Sequence, residues 1–247
     1  MPVVAAAFCP HPPVLVAEVA GRASPELDGL RTACDSAVAA LLATGPDRVV
    51  VVGRTDVGRP QPVPRCADVV AHASGAVGSL AGYGVDLRVV LGDGDGTRAA
   101  TLPLSLTIGA WLLERNHCHT AVVGMELPAG LAPDAARDVG RTLDELGAEV
   151  SLLVMGDGSA CLSDTAPGYT HPAARDWQDA VTLALTNAEC GDLLALDPTR
   201  ADAQLASGRQ AWQVAAGAFE GGTVQPGPAF VEQRYGVGYV VTTWVRQ

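Results

Sequence analysis

Residues 49–52 are four consecutive valines, set between Arg48 and Gly53. A short run this apolar, ended by glycine, reads as a strand buried on both faces, and such a strand needs helices packed on either side of a sheet. Similar short runs recur at 3–8, 85–91, 120–125 and 150–155. Between them lie helical stretches at 102–114, 133–146, 171–187 and 209–220. Strands alternating with helices point to an α/β layered fold. A further helix is expected from a Ser24 cap, with Pro25 at its first position, to about residue 44. Residues 54–66, with three prolines, read as a loop, and 229–245 as one or two terminal strands. No internal repeat, low-complexity segment or Ser/Gly-rich linker divides the 247 residues. One domain over 1–247 is the simplest account.

The first strand runs into Cys-Pro-His-Pro-Pro at 9–13. Prolines on both sides of His11 stop the strand and stiffen the backbone around it. His11 is thereby set at the carboxyl edge of the sheet, where open α/β sheets bind ligands. The plainer alternative is a histidine in a rigid loop with no ligand. The strand at 150–155 runs into Gly-Asp-Gly-Ser-Ala-Cys at 156–161, which brings Asp157 and Ser159 to the same edge. Its glycines free backbone amides that can hold an anion. A Gly/Asp turn with no ligand is the alternative and the commoner case.

Composition removes several classes of partner. The formal net charge is -11 and no Lys/Arg cluster interrupts the acidity, which argues against nucleic acid and anionic membranes. No apolar run reaches the roughly 18–20 residues of a membrane span. The six cysteines are scattered and form no C-x-x-C pair. That pattern fits reduced thiols in a cytoplasmic protein rather than a structural zinc site.

The ordered set of motifs resembles the class III extradiol ring-cleavage dioxygenase family in its B-subunit-like branch, which includes the Memo-like proteins. The matching pieces are Phe-Cys-Pro-His-Pro-Pro at 8–13, the strand ending at Gly53, Gly-Asp-Gly-Ser-Ala-Cys-Leu-Ser at 156–163, Ala-Pro-Gly-Tyr at 166–169 and Tyr-Gly-Val-Gly-Tyr at 235–239. The chain looks most like the small alanine-rich actinobacterial group within it. The resemblance implies a single-domain sandwich with a central, mostly parallel sheet flanked by helices. It also implies homo-oligomers, and Fe(II) held by two histidines and a carboxylate, with open positions for a catechol and dioxygen.

This chain departs from that pattern. His11 matches the first ligand. The second histidine is expected after the strand ending at Gly53, where the sequence reads Arg54-Thr55-Asp56. The acid/base histidine is expected where Ala160 stands, and losing such a group costs about 10²- to 10⁴-fold in rate. Glu220 and Glu232 are the candidates for the late carboxylate. Three functions follow. The first is a family member with a degenerate metal site that is non-catalytic, acting structurally or binding a small aromatic ligand with no cofactor. The second is a metal-dependent oxidoreductase with a site rebuilt from His11 with Asp56, Glu232 or Asp157, Asp157 and Ser159 being the catalytic candidates. The third is thiol chemistry at Cys9 or Cys161, which needs an electropositive setting. Whether the chain is an enzyme stays open at this point.

Other motifs read more plainly. His117-Cys118-His119 is either a metal pair or a helix-terminal surface feature. Residues 92–97 echo a calcium loop but lack its later acidic positions, so a tight turn is expected.

Overall fold

The computed structural model describes residues 3–56, 69–145 and 149–247. Cys66, most of the proline-containing loop at 54–66 and the last residue of the helix expected at 133–146 lie outside the described residues. The strands are β1 (Val3–Cys9), β2 (Arg48–Arg54), β3 (Val70–His72), β4 (Val77–Ser79), β5 (Arg88–Val90), β6 (Ala121–Leu127), β7 (Val150–Met155), β8 (Val224–Pro226), β9 (Phe230–Arg234) and β10 (Val237–Arg246). The α-helices are α1 (Ala17–Ala20), α2 (Asp28–Leu42), α3 (Leu104–Arg115), α4 (Pro133–Asp144), α5 (Ala174–Thr186), α6 (Cys190–Leu194), α7 (Pro198–Ala203) and α8 (Arg209–Phe219).

The main sheet has the order β3-β6-β2-β7-β1-β10-β8, with β9 paired to β10. Its centre, β6-β2-β7-β1, is parallel throughout. Its flanks are antiparallel, through β3 on one side and through β10 with its partners on the other. The sheet is therefore mixed rather than mostly parallel.

The valine run behaves as its composition dictates. Val49 and Val51 face one core, with Ala5, Ala7 and Leu153, under α2 and α3. Val50 and Val52 face the other, with Ala6, Phe8, Leu152 and Val154, under α8. Period-two alternation thus serves two apolar layers at once. Every residue of α8 is buried, because the helix lies between the sheet and α4. Among the described residues no helix is long and apolar enough to cross a membrane.

Two expected elements differ. The helix expected from Ser24 starts at Asp28, after a 3-10 segment over Gly21–Leu27. Ser24 does not cap it: the buried Arg31 guanidinium donates to both Ser24 O (2.6 Å) and Ser24 Oγ (2.7 Å). The strand expected at 85–91 shrinks to β5 and pairs with β4 in a separate two-stranded sheet. Gly92, in the left-handed region at φ 64°, turns the chain at its end.

The α4–α8 crossing depends on close backbone approach. A Cβ on Gly140 would lie 2.1 Å from Val214 O, and one on Gly217 would lie 2.5 Å from Arg137 O. The same pair of helices is clamped by Glu220, just beyond α8. Its carboxylate accepts from Arg137 Nε at 2.7 Å, from a second Arg137 nitrogen, and from Arg141 at 3.0 Å.

Gly140→Ala is expected to lower the thermal midpoint. Overpacking costs about 1–3 kcal/mol, and here the atoms met are backbone, so the upper part of that range applies. Alanine's gain over glycine in a helix is only about 1 kcal/mol. Glu220→Gln tests the clamp. The Arg137 hydrogen bond holds the Glu220 carboxyl below the usual carboxylate range. Its stabilisation is therefore present above the unfolded-state value of about 4.3 and is lost as pH falls through the folded value. Glu220→Gln should lower stability by at most about 1 kcal/mol at neutral pH, since the pair is partly exposed. Wild type and variant should converge on acidification in a pH series of thermal melts.

Candidate functional site

Parallel register brings three strand ends together. Val52 of β2 and Phe8 of β1 both align with Val154 of β7. Arg54 closes β2, and the chains leaving β1 and β7 reach His11 and Asp157 three residues beyond Phe8 and Val154. All three line one cleft of about 450 Å³ at the carboxyl edge of the sheet. Thr55, Asp56, Tyr83, Leu104, Leu205 and Ser207 complete its wall.

Asp157 organises this edge. Its Oδ1 accepts the His11 backbone N–H at 2.8 Å. Its own N–H donates to Ser207 Oγ at 3.2 Å, and its carbonyl accepts from Ser207 N and Gly208 N, each at 3.1 Å. These bonds fix the entry to α8 against the ends of β1 and β7. The His11 side chain is 8% exposed. Its Nε2 lies 3.4 Å from Ser207 Oγ, whereas Nδ1 is buried with no hydrogen-bond partner, 3.8 Å from Asp157 Oδ1. Ser207, His11 and Asp157 follow one another as in a nucleophile relay. The 3.8 Å gap exceeds a hydrogen bond, so no relay is formed.

Arg54 is held by close packing of α3 on β2. A Cβ on Gly53 would lie 2.5 Å from Ser105 Oγ, and that hydroxyl donates to Arg54 O at 2.7 Å. Only glycine admits this approach. The Arg54 side chain is half-buried in the cleft. No carboxylate or carbonyl among the described residues reaches its guanidinium within hydrogen-bonding distance. Burial pushes its pKa below the ordinary arginine range, against the opposing charges of Asp202, Asp157 and Asp56.

The expected site residues separate into groups. His11, Asp56 and Asp157 share the cleft. Asp56 has a structural role, since its Oδ1 accepts Leu104 N at 2.8 Å and caps α3. Ser159 is fully buried behind the cleft, takes the Cys161 N–H on its Oγ and faces Gln204. Glu232 stands apart, paired with Arg234 and lining a different hollow with Arg175 and Gln178. Glu220 is the α4–α8 clamp. The cleft residues that sequence reasoning missed are Tyr83, Leu104, Leu205 and Ser207. Ser207 carried a faint signal, as a serine preceding a helix.

The donor set does not fit the Fe(II) centre that the resemblance implies. Among the described residues no three His, Cys, Asp or Glu side chains are grouped so as to hold a metal ion. The Arg54 cation lies in the same cleft as His11 and opposes a divalent ion beside it. The thiol reading weakens as well. Burial raises the Cys161 pKa, and Cys9 is buried within the core beneath the sheet edge. Thiols held protonated are poor nucleophiles.

The remaining histidines have local roles. His171 Nδ1 accepts Ala173 N at 3.1 Å before α5, and His72 Nε2 lies 2.8 Å from Glu126 Oε2. His117 and His119 line a hollow at the end of α3. In the 92–97 turn, Asp95 accepts from Thr97 N and Oγ1, as a tight turn requires.

No family model matches the chain, and no curated protein does. Among solved structures the chain is similar to that of the uncharacterized protein JW3007 from Escherichia coli K12. The likeness has a TM-score of 0.53 at 14% identity, over 97% of this chain and 99% of that one, and at this identity it shows the fold alone.

Proposed function

We propose that this chain is a class III extradiol dioxygenase-like protein that binds a small ligand in the cleft at the strand ends and does not cleave rings. The observation that supports the reading is Arg54, a cation with no ion-pair partner among the described residues, beside His11 in a cleft where no three metal donors are grouped. A cleft of about 450 Å³ suits a small organic molecule. Tyr83 and Leu205, both exposed, give it an apolar lip, and His11, Ser207 and Arg54 give it polar walls. Ala160 at the expected acid/base position removes the proton transfer that ring cleavage needs.

A site rebuilt on His11, Asp56 and Asp157 is the competing reading, because these three share the cleft. The two separate in a metal analysis of untagged protein after anaerobic Fe(II) loading, with His11→Ala as control and catechol-dependent oxygen uptake as readout. The proposal predicts well under one iron per chain, no difference between wild type and variant, and no oxygen uptake. Near-stoichiometric iron that His11→Ala loses would overturn it in favour of the metal-dependent oxidoreductase.

A further inference from the structure

Resting on that reading, we infer that the cleft is a carboxylate-binding site in which Arg54 receives a monoanionic organic acid at the place a metal ion would otherwise hold. Three independent observations converge on it. First, Arg54 is a half-buried cation with no ion-pair or hydrogen-bond partner among the described residues. A guanidinium in that state carries a desolvation cost that a bidentate carboxylate offsets.

Second, His11 Nδ1 is a buried polar atom with no partner, on a side chain that lines the same cleft. Native structures rarely leave such an atom without a partner, and this one belongs to a residue beside Arg54 in the cleft. Third, a further unpaired cation lies behind the wall. Arg209 is 1% exposed and spends its Nη1 on Leu131 O (3.0 Å) and Gln213 Oε1 (2.8 Å). Its Nε has no partner, and its charge and that of Arg54 act on each other. Neither guanidinium has a carboxylate within ion-pair distance among the described residues, so both add positive potential to the anion's position, reduced by the nearby charge of Asp202.

Charge balance sets the ligand class. Asp56 and Asp157 also line the cleft, each with one oxygen taken by a backbone N–H. They repel a phosphate dianion about twice as strongly as a monoanionic carboxylate at the same distance. Leu205 supports an organic body on the ligand. It is 54% exposed at the cleft mouth and held in the left-handed region at φ 51°. That conformation is unfavourable for a leucine, so an apolar side chain is kept at the rim against local preference.

The test is calorimetric titration of metal-free protein with benzoate, its neutral counterpart benzamide, and inorganic phosphate. Wild type, Arg54→Gln and Arg54→Lys are compared. Benzoate is expected to bind one per chain, at least tenfold more tightly than benzamide or phosphate, and more weakly as salt rises. Arg54→Gln should lose at least tenfold for benzoate with little change for benzamide. Arg54→Lys should retain part of the binding, which separates loss of charge from loss of fold should the glutamine variant prove unstable.

Equal affinity for benzoate and benzamide, or unaltered benzoate binding in Arg54→Gln, overturns the carboxylate assignment while leaving a ligand-binding cleft. Tighter binding of phosphate overturns the choice of carboxylate. Binding of benzoate only after Fe(II) loading overturns the metal-free reading itself. Absence of binding by all three probes removes the assignment to Arg54, and the wider reading then stands or falls on the iron measurement.

Discussion

Asp157 joins three chain segments that are far apart in sequence. Through one carboxylate oxygen, one N–H and one carbonyl it holds the ends of β1 and β7 and the entry to α8. The twin prolines around His11 leave that backbone few donors, so the hydrogen bond from His11 N to Asp157 is the main tie on that loop. Without it, His11 would lose its fixed place over the sheet edge and Ser207 its orientation. The cleft is thus a consequence of how the sheet edge is closed by buried polar contacts at the entry to α8, a helix buried along its whole length.

On the proposed reading, the chemistry of the cleft follows from one difference in charge from the metal site that the resemblance implies. A divalent metal with histidine and carboxylate donors presents a strong positive centre to oxygen ligands. Arg54 presents a single, delocalised positive charge with planar donors. That charge still attracts an oxyanion, but it neither activates dioxygen nor lowers the pKa of a bound hydroxyl as a metal does. On the proposed reading, the cleft binds an anion and lacks the route to oxidation. Alanine at residue 160, where the resemblance would put the acid/base histidine, fits the same reading.

Much of this was legible in the sequence, because it depends on short-range rules. Four valines in a row specify a strand buried on both faces, and Gly53 after them allows α3 to come close. The proline-bounded His11 and the Gly-Asp turn at 156–157 both fall at the strand ends, where the alternation of strands and helices puts them. What was not legible comes from long-range pairing. Asp56 looks like a free oxygen donor until Leu104, 48 residues later, brings its helix amide to the carboxylate. Glu220 and Glu232 look like spare carboxylates until Arg137, Arg141 and Arg234 claim them. Tyr83 sits on a 3-10 turn and Leu205 in a left-handed conformation, neither of which has a periodic signature. The antiparallel flanks of the sheet escaped for a similar reason: β3 and β8 are three residues each, too short to alternate.

The central claim is that His11 and Arg54 together form an organic-anion site and not a metal site. Nuclear magnetic resonance with labelled histidine and arginine side chains tests it most directly, with Mn(II) and benzoate added separately to the metal-free protein. The account predicts that benzoate shifts the His11 ring and Arg54 guanidinium signals, while stoichiometric Mn(II) leaves the His11 signal sharp. Selective paramagnetic broadening of His11 by stoichiometric Mn(II), with Arg54 unmoved by benzoate, would contradict it.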